Sequence, residues 1–192
     1  MKTTVKKLLR AILVSVTFVF IMAVNQQHQV IAAWPSHSRE NAAICMALGQ
    51  QSSPQIITDG AGGAIITWED TRDVHVDIYA QRIDAHGKVL WQKDGVPVCT
   101  APENQKRARI ISDGNGGAII VWHDVRSGNG NYDIYAQRID ADGNPQWTND
   151  GIPVCNASKE QNSPCITSDG TGGAIIMWED FRTNYADLYG QR

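Results

Sequence analysis

Three Asp-x-Arg pairs recur along the 192-residue chain: Asp70 with Arg72, Asp124 with Arg126, and Asp180 with Arg182. Each follows a tryptophan, Trp68, Trp122 or Trp178. Gathered at one end of a barrel, the pairs would make a ring of charge. A feature present in every copy of a repeat more often maintains the repeat, so the pairs read as braces at strand ends. The tryptophans read as core, because they lie in the most apolar segments. His123 departs from the pattern, standing where the other copies have Glu69 and Glu179 and directly before Asp124. A His–carboxylate pair can carry acid–base chemistry. The motif sets no Ser or Cys nucleophile beside it, and no catalytic residue is assigned. Asp140, Asp142 and Asn144 have the look of a short calcium loop, but the matching copy has Asp84, His86 and Lys88. The ligand pattern is incomplete, so neither a metal nor a cofactor is expected.

The four cysteines divide in the same way. Cys45, Cys99 and Cys155 occupy one repeat position, which puts them in different blades and beyond the roughly 7 Å Cα separation a disulfide tolerates. Cys165 is extra. Its candidate disulfide partner is Cys155, ten residues earlier; the alternative is that the thiols act as small buried apolar groups.

These residues sit in three superimposable stretches: Asp59-Gly-Ala-Gly-Gly-Ala-Ile-Ile-Thr-Trp68-Glu-Asp70, Asp113-Gly-Asn-Gly-Gly-Ala-Ile-Ile-Val-Trp122-His-Asp124, and Asp169-Gly-Thr-Gly-Gly-Ala-Ile-Ile-Met-Trp178-Glu-Asp180. Their tryptophans are 54 and 56 residues apart. A second block follows each, Asp77-Ile-Tyr-Ala-Gln-Arg-Ile-Asp84 and its copies from Asp133 and Asp187. A third block runs from Trp91 to Cys99 and from Trp147 to Cys155, with a degraded copy from Trp34 to Cys45. Such periodicity is the mark of a repeat architecture.

Each repeat reads as four antiparallel strands, a to d. Strand a is short, around Gln55–Thr58 and its copies. The Asp-Gly-x-Gly-Gly segment is a turn. Strand b, Ala64–Trp68 in the first copy, alternates apolar residues on both faces, so both faces must be covered. Strand c is the Asp-Ile-Tyr block, and strand d ends at Pro-Val-Cys. A sheet buried on both faces needs a sheet on each side, which radially stacked blades provide. The expected fold is therefore all-β, with repeats at about 48–101, 102–157 and 158–192 as β-propeller blades. The segment Asn41–Ala47 matches strand d without a, b or c before it, and the third copy has a, b and c without d. Pairing the first with the last is one way to close a ring. Three blades fall short of the roughly four to eight that propellers use. The expectation is an incomplete propeller, a piece of a longer chain or a ring that further chains complete.

The beginning of the chain carries Lys2, Lys6, Lys7 and Arg10, then an apolar run of 14 residues from Ala11 to Val24. A membrane span needs about 20, so residues 1–33 read as a secretory signal, with Ala33 or Trp34 as the new first residue. Loss of its four cations leaves 13 basic and 20 acidic residues, a net of −7. Nucleic acid is therefore not the expected partner, nor is a membrane after cleavage.

The blocks Asp-Gly-x-Gly-Gly-Ala-Ile-Ile-x-Trp-x-Asp and Asp-Ile-Tyr-Ala-Gln-Arg-Ile-Asp resemble the tandem repeats of large secreted bacterial surface proteins. The resemblance covers about residues 42–192. It implies a propeller-like fold and an extracellular, cell-surface or periplasmic location, and no activity. The turn is also similar to the Asp-box of sialidase-type propellers, but Ser168 and Asp169 are adjacent and Trp178 lies too far along, so sialidase chemistry is not carried over.

The expected function is a non-catalytic binding or scaffold module for a glycan or a protein. The alternatives are a propeller-type hydrolase or lyase and a purely structural surface repeat. Only the b–c loops vary in length: Asp70 to Asp77 and Asp180 to Asp187 span seven residues, Asp124 to Asp133 nine. Repeat proteins place insertions on one face, often the binding face. The expected ligand contacts are His75, Asn129, Asn131, Tyr132, Asn184 and Tyr185, whose aromatic and amide groups suit a sugar or a polar protein surface.

Overall fold

A computed structural model describes Trp34 and residues 41–128 and 130–192. The expected signal segment, 1–33, lies outside the described residues, as does Asn129. The described region is all-β and contains no helix. Its strands form three antiparallel sheets in chain order. Blade 1 holds β1 (Gln51–Thr58), β2 (Ala64–Asp70), β3 (Asp77–Ile83) and β4 (Val96–Cys99). Blade 2 holds β5 (Gln105–Ser112), β6 (Ala118–Asp124), β7 (Asp133–Ile139) and β8 (Ile152–Cys155). Blade 3 holds β9 (Gln161–Ser168), β10 (Ala174–Asp180) and β11 (Asp187–Gln191). This is an incomplete β-propeller of three consecutive blades.

Each blade meanders through tight turns. In the first turn of blade 1 the Asp59 carboxylate accepts hydrogen bonds from the amides of Ala61 and Gly63, both at 2.8 Å. Arg82 of β3 reaches back to the same carboxylate at 2.9 Å. Asp113 with Arg138, and Asp169 with Arg192, repeat the arrangement. An Asp side chain followed by glycines thus fixes both the turn and the neighbouring strand.

The first strand of each blade is longer than expected, eight residues in place of a short run such as Gln55–Thr58. Its first half is hidden from pattern reading by a β-bulge. The register slips between Ser52 and Gln55 and between Lys106 and Arg109, and at the matching place in blade 3. The bulged residues Ser53, Arg107 and Ser163 have φ of 53°, 55° and 52°. This left-handed conformation is uncommon for a residue with a Cβ.

The alternating faces of the second strands are covered as their pattern requires. Ile65, Ile78 and Val98 of blade 1 pack with Ile110, Ile120 and Trp122 of blade 2. Val121, Ile134 and Ala136 of blade 2 pack with Ile176 and Trp178 of blade 3. On the other side of blade 1, Ile66 and Trp68 pack with Ile44 and Cys45. Segment 41–47 was expected as an outer strand beside β11. It forms no strand, and β11 has no fourth strand beside it among the described residues. The segment lies on blade 1 instead.

Candidate functional site

The residues with the richest chemistry form one assembly at the b–c end of each blade. In blade 2, Trp122 Nε1 donates to Asp124 Oδ2 at 2.8 Å. Arg126 clamps the same carboxylate through Nε and Nη2, at 2.8 and 2.6 Å. The guanidinium lies 3.9 Å from the centre of the Tyr135 ring. Nη2 also donates to the Asp150 carbonyl at 2.7 Å and to Cys99 Sγ at 3.0 Å. Cys99 belongs to the preceding blade. Trp68, Asp70, Arg72 and Tyr79 build the same assembly in blade 1 with Cys45. Trp178, Asp180, Arg182 and Tyr189 build it in blade 3 with Cys155.

All three aspartates are fully buried. Burial alone would raise the Asp70 carboxyl, but hydrogen bonds from Arg72 and Trp68 outweigh it and hold it below the usual range. The Arg182 hydrogen bonds hold Asp180 lower as well. Burial pushes the Cys99 thiol up to about 12, which keeps it protonated and a poor nucleophile. Both oxygens of each aspartate are occupied, Oδ1 by the arginine backbone amide and Nε, and Oδ2 by Nη2 and the tryptophan. Cys155 and Cys165 are free thiols, the second of the two alternatives, and the candidate disulfide is not formed: Cys155 faces Asp180 and Arg182 on one side of blade 3, while Cys165 is exposed on β9. Their strands carry them to different neighbours.

His123 is buried and neutral. Its Nε2 accepts a 2.7 Å hydrogen bond from the amide of Ser163 in the next blade. Burial, with Arg107 and Arg109 nearby, pushes it down to about 4. In the preceding blade Glu69 does the same, accepting from the Arg107 amide at 2.8 Å. The bulge therefore aims one strand amide at an acceptor on the preceding blade. Sequence reading missed this role. The signal is present: the residue before each Asp is an acceptor in all three copies, Glu69, His123 and Glu179.

A second joint forms at the other end. Trp91 Nε1 donates to the Ala141 carbonyl of blade 2 at 2.9 Å. Its ring covers Gly143, where a Cβ would come within 2.9 Å of the indole and where φ is 89°. Trp34 makes the matching bond to Ala85 at 3.0 Å and covers Gly87. Trp147 of blade 2 instead borders an open cavity of about 240 Å³, lined also by Arg138, Gly172, Ile176 and Arg192. Asp140 is a turn brace: it accepts from the amides of Asp142 and Asn144 and from Gln146 Nε2.

The residues expected to meet a ligand lie on the b–c loops. His75, Asn131 and Tyr185 share one repeat position, and Asn184 and Tyr185 are exposed. Tyr132 is half-buried, its ring 5.2 Å from His123 and its carbonyl accepting from the Gln161 amide. An open depression of about 550 Å³ lies beside His75, lined by Asp73, Val74, Asp77 and Thr100–Pro102. Burial and the neighbouring Asp73 push the Asp77 carboxyl up to about 6.

No family model matches the chain, nor does any curated protein. Among solved structures, the chain is similar to an endo-arabinase from Bacteroides thetaiotaomicron VPI-5482, with a TM-score of 0.48 and 16% identity over 79% of this chain. The match spans 58% of that enzyme's chain.

Proposed function

We propose that the chain is an exported, non-catalytic binding module of propeller type whose b–c end meets a glycan. One observation carries this reading. The tryptophans and Asp–Arg pairs make the same contacts in all three copies, each arginine reaches a cysteine of the preceding segment, and Glu69 and His123 each receive an amide of the next blade. What differs between copies is the b–c loop, with the half-buried His75 in one blade and the exposed Asn184 and Tyr185 in another. An enzyme places unlike polar groups from several blades around one pocket. Here the one departure in the acid–base set, His123, is buried in a joint. Rings and amides on exposed loops suit stacking against a sugar face and hydrogen bonding to its hydroxyls. The leader-like segment at the beginning of the sequence supports export.

A glycan array probed with wild type, Tyr185→Ala and the Tyr132→Ala, Tyr185→Ala double variant tests the reading. Tyr185 is 79% exposed, so its single variant leaves the fold intact. Binding should fall at least tenfold in the single variant and vanish in the double. Binding unchanged in both, or lost only on altering the Asp-Gly-x-Gly-Gly turns, places the site at the opposite end. Capture of a protein with no sugar bound replaces the glycan with a protein ligand.

A further inference from the structure

Strand c opens on an aspartate in every blade: Asp77, Asp133 and Asp187. In blades 2 and 3 the residue directly after the clamp arginine carries a hydroxyl that donates to that carboxylate. Ser127 donates to Asp133, and Thr183 Oγ1 donates to Asp187 Oδ2 at 2.8 Å. In blade 1 the same position is Asp73. A carboxylate stands where the other blades have a donor. Ionised carboxylates only accept hydrogen bonds, so neither acid can serve the other.

Asp77 is 3% exposed. It borders the open depression of about 550 Å³ together with Asp73, His75 and Thr100. Among the described residues neither a side chain nor an amide donates to its carboxylate. Its surroundings are anionic. Burial, then Asp73, Asp70 and Asp150 push the Asp77 carboxyl up, and only His75 pulls it down. The nearest guanidinium, Arg72, is committed to Asp70. Asp150 accepts from the Thr100 amide at 2.8 Å.

A buried carboxylate with no donor is an uncompensated charge, and holding it is costly. A proton would remove one charge from this loop and a divalent cation two. Four carboxylates act there, those of Asp70, Asp73, Asp77 and Asp150, against the single guanidinium of Arg72. Among the described residues no three His, Cys, Asp or Glu side chains are grouped closely enough to hold an ion. The two carboxylates would therefore supply the protein's charge and water most of the remaining ligands. Hard oxygen ligands in an open, hydrated setting suit calcium, which takes about 6–8 oxygens in flexible geometry. We propose that Asp73 and Asp77, on the b–c loop of blade 1, bind a calcium ion through their carboxylates and water. The site is distinct from the Asp140 loop, whose carboxylate is spent on its own turn. It stands whether or not a sugar binds nearby.

Calorimetry of the folded chain in metal-free buffer near pH 7, titrated with calcium chloride at constant ionic strength, tests the site. A single ion should bind, half-saturated at about 0.1–1 mM as in extracellular modules. Calcium at about tenfold that level should raise the melting temperature. Asp73→Thr installs the residue that blade 3 carries. It should melt above wild type in metal-free buffer and lose calcium affinity at least tenfold. Asp142→Asn removes an exposed acid from the Asp140 loop and should leave the calcium response unchanged. Wild type that binds no calcium at about 10 mM, well above the range of extracellular modules, holds a proton only and overturns the proposal. So does a calcium response that survives Asp73→Thr, or one lost in Asp142→Asn, since either places the ion elsewhere.

Discussion

Blades 2 and 3 have closely similar sequences and different surroundings. Strand b reads Ala-Ile-Ile-Val-Trp-His-Asp in one and Ala-Ile-Ile-Met-Trp-Glu-Asp in the other. In blade 2 every residue of that strand is buried, because a sheet lies on each side. In blade 3 alternate residues face solvent. The sheet itself forms in both, with the same register between its second and third strands. The repeat therefore encodes two things separately: a hairpin-connected sheet, set by turns and alternation, and a joint to the next blade, set by apolar side chains and a handful of polar groups.

The Asp–Arg clamp should differ between the two blades. Arg126→Ala leaves the fully buried Asp124 without its cation, which costs on the order of 3 kcal/mol. Arg182 has a more exposed side chain, 33% against 19% for Arg126. Arg182→Ala should cost less, because water can reach the orphaned carboxylate. Urea unfolding of both variants measures the gap, and equal losses would mean that the clamp is independent of its surroundings.

Next comes the apolar joint. Ile134 is fully buried and Leu188 largely exposed. Ile134→Ala should destabilise the chain by about 2–4 kcal/mol, and Leu188→Ala by under about 0.5 kcal/mol. Thermal melts of the two variants compare them directly.

The acceptor position gives a pH signature confined to one joint. His123 sits at about 4 in the folded chain, against about 6.5 when unfolded. A group whose folded value is depressed contributes stability above the unfolded value and loses it as pH falls toward the folded one. Stability should therefore decline between pH 6.5 and 4, by about 3 kcal/mol. His123→Glu, which restores the residue of the other copies, should move that decline to below about pH 4.3. Asp77 runs the opposite way. Its folded value of about 6 lies above the unfolded one, so it is costly when ionised and the cost is relieved on acidification through pH 6. Asp77→Asn should raise the melting temperature at pH 7, by roughly 3 kcal/mol of stability, an effect that shrinks between pH 6 and about 3.9 and is lost below it.

The elements that repeat in sequence were legible from it. The second strand, the third strand and the turns stand where alternation, Asp-Gly-x-Gly-Gly and the tight glycine turns placed them. What escaped was of two kinds. The first half of strand a was hidden by its bulge, because Ser53, Arg107 and Ser163 break the alternation and adopt a backbone that non-glycine residues rarely take. The contacts between blades were hidden because they join residues about 25–40 positions apart, such as Cys99 to Asp124 and His123 to Ser163. Pattern reading recognised each as a repeated residue without identifying its partner. The match of segment 41–47 to strand d was visible, and the side of the blade it would serve was not. For the ligand contacts, the loops were located by their varying length, while the half-burial of Tyr132 against His123 is a consequence of the joint.

The central claim is that the bulged first strand joins each blade to the one before it. Hydrogen exchange at the amides of Arg107 and Ser163 tests it most directly. Both amides point at a side-chain acceptor on the preceding blade, so both should exchange slowly. Glu69→Ala should accelerate exchange at Arg107 alone, and His123→Ala at Ser163 alone. Exchange at Arg107 and Ser163 as fast as at the loop amide of Val74, a residue 92% exposed, with no response to either substitution, would contradict the account.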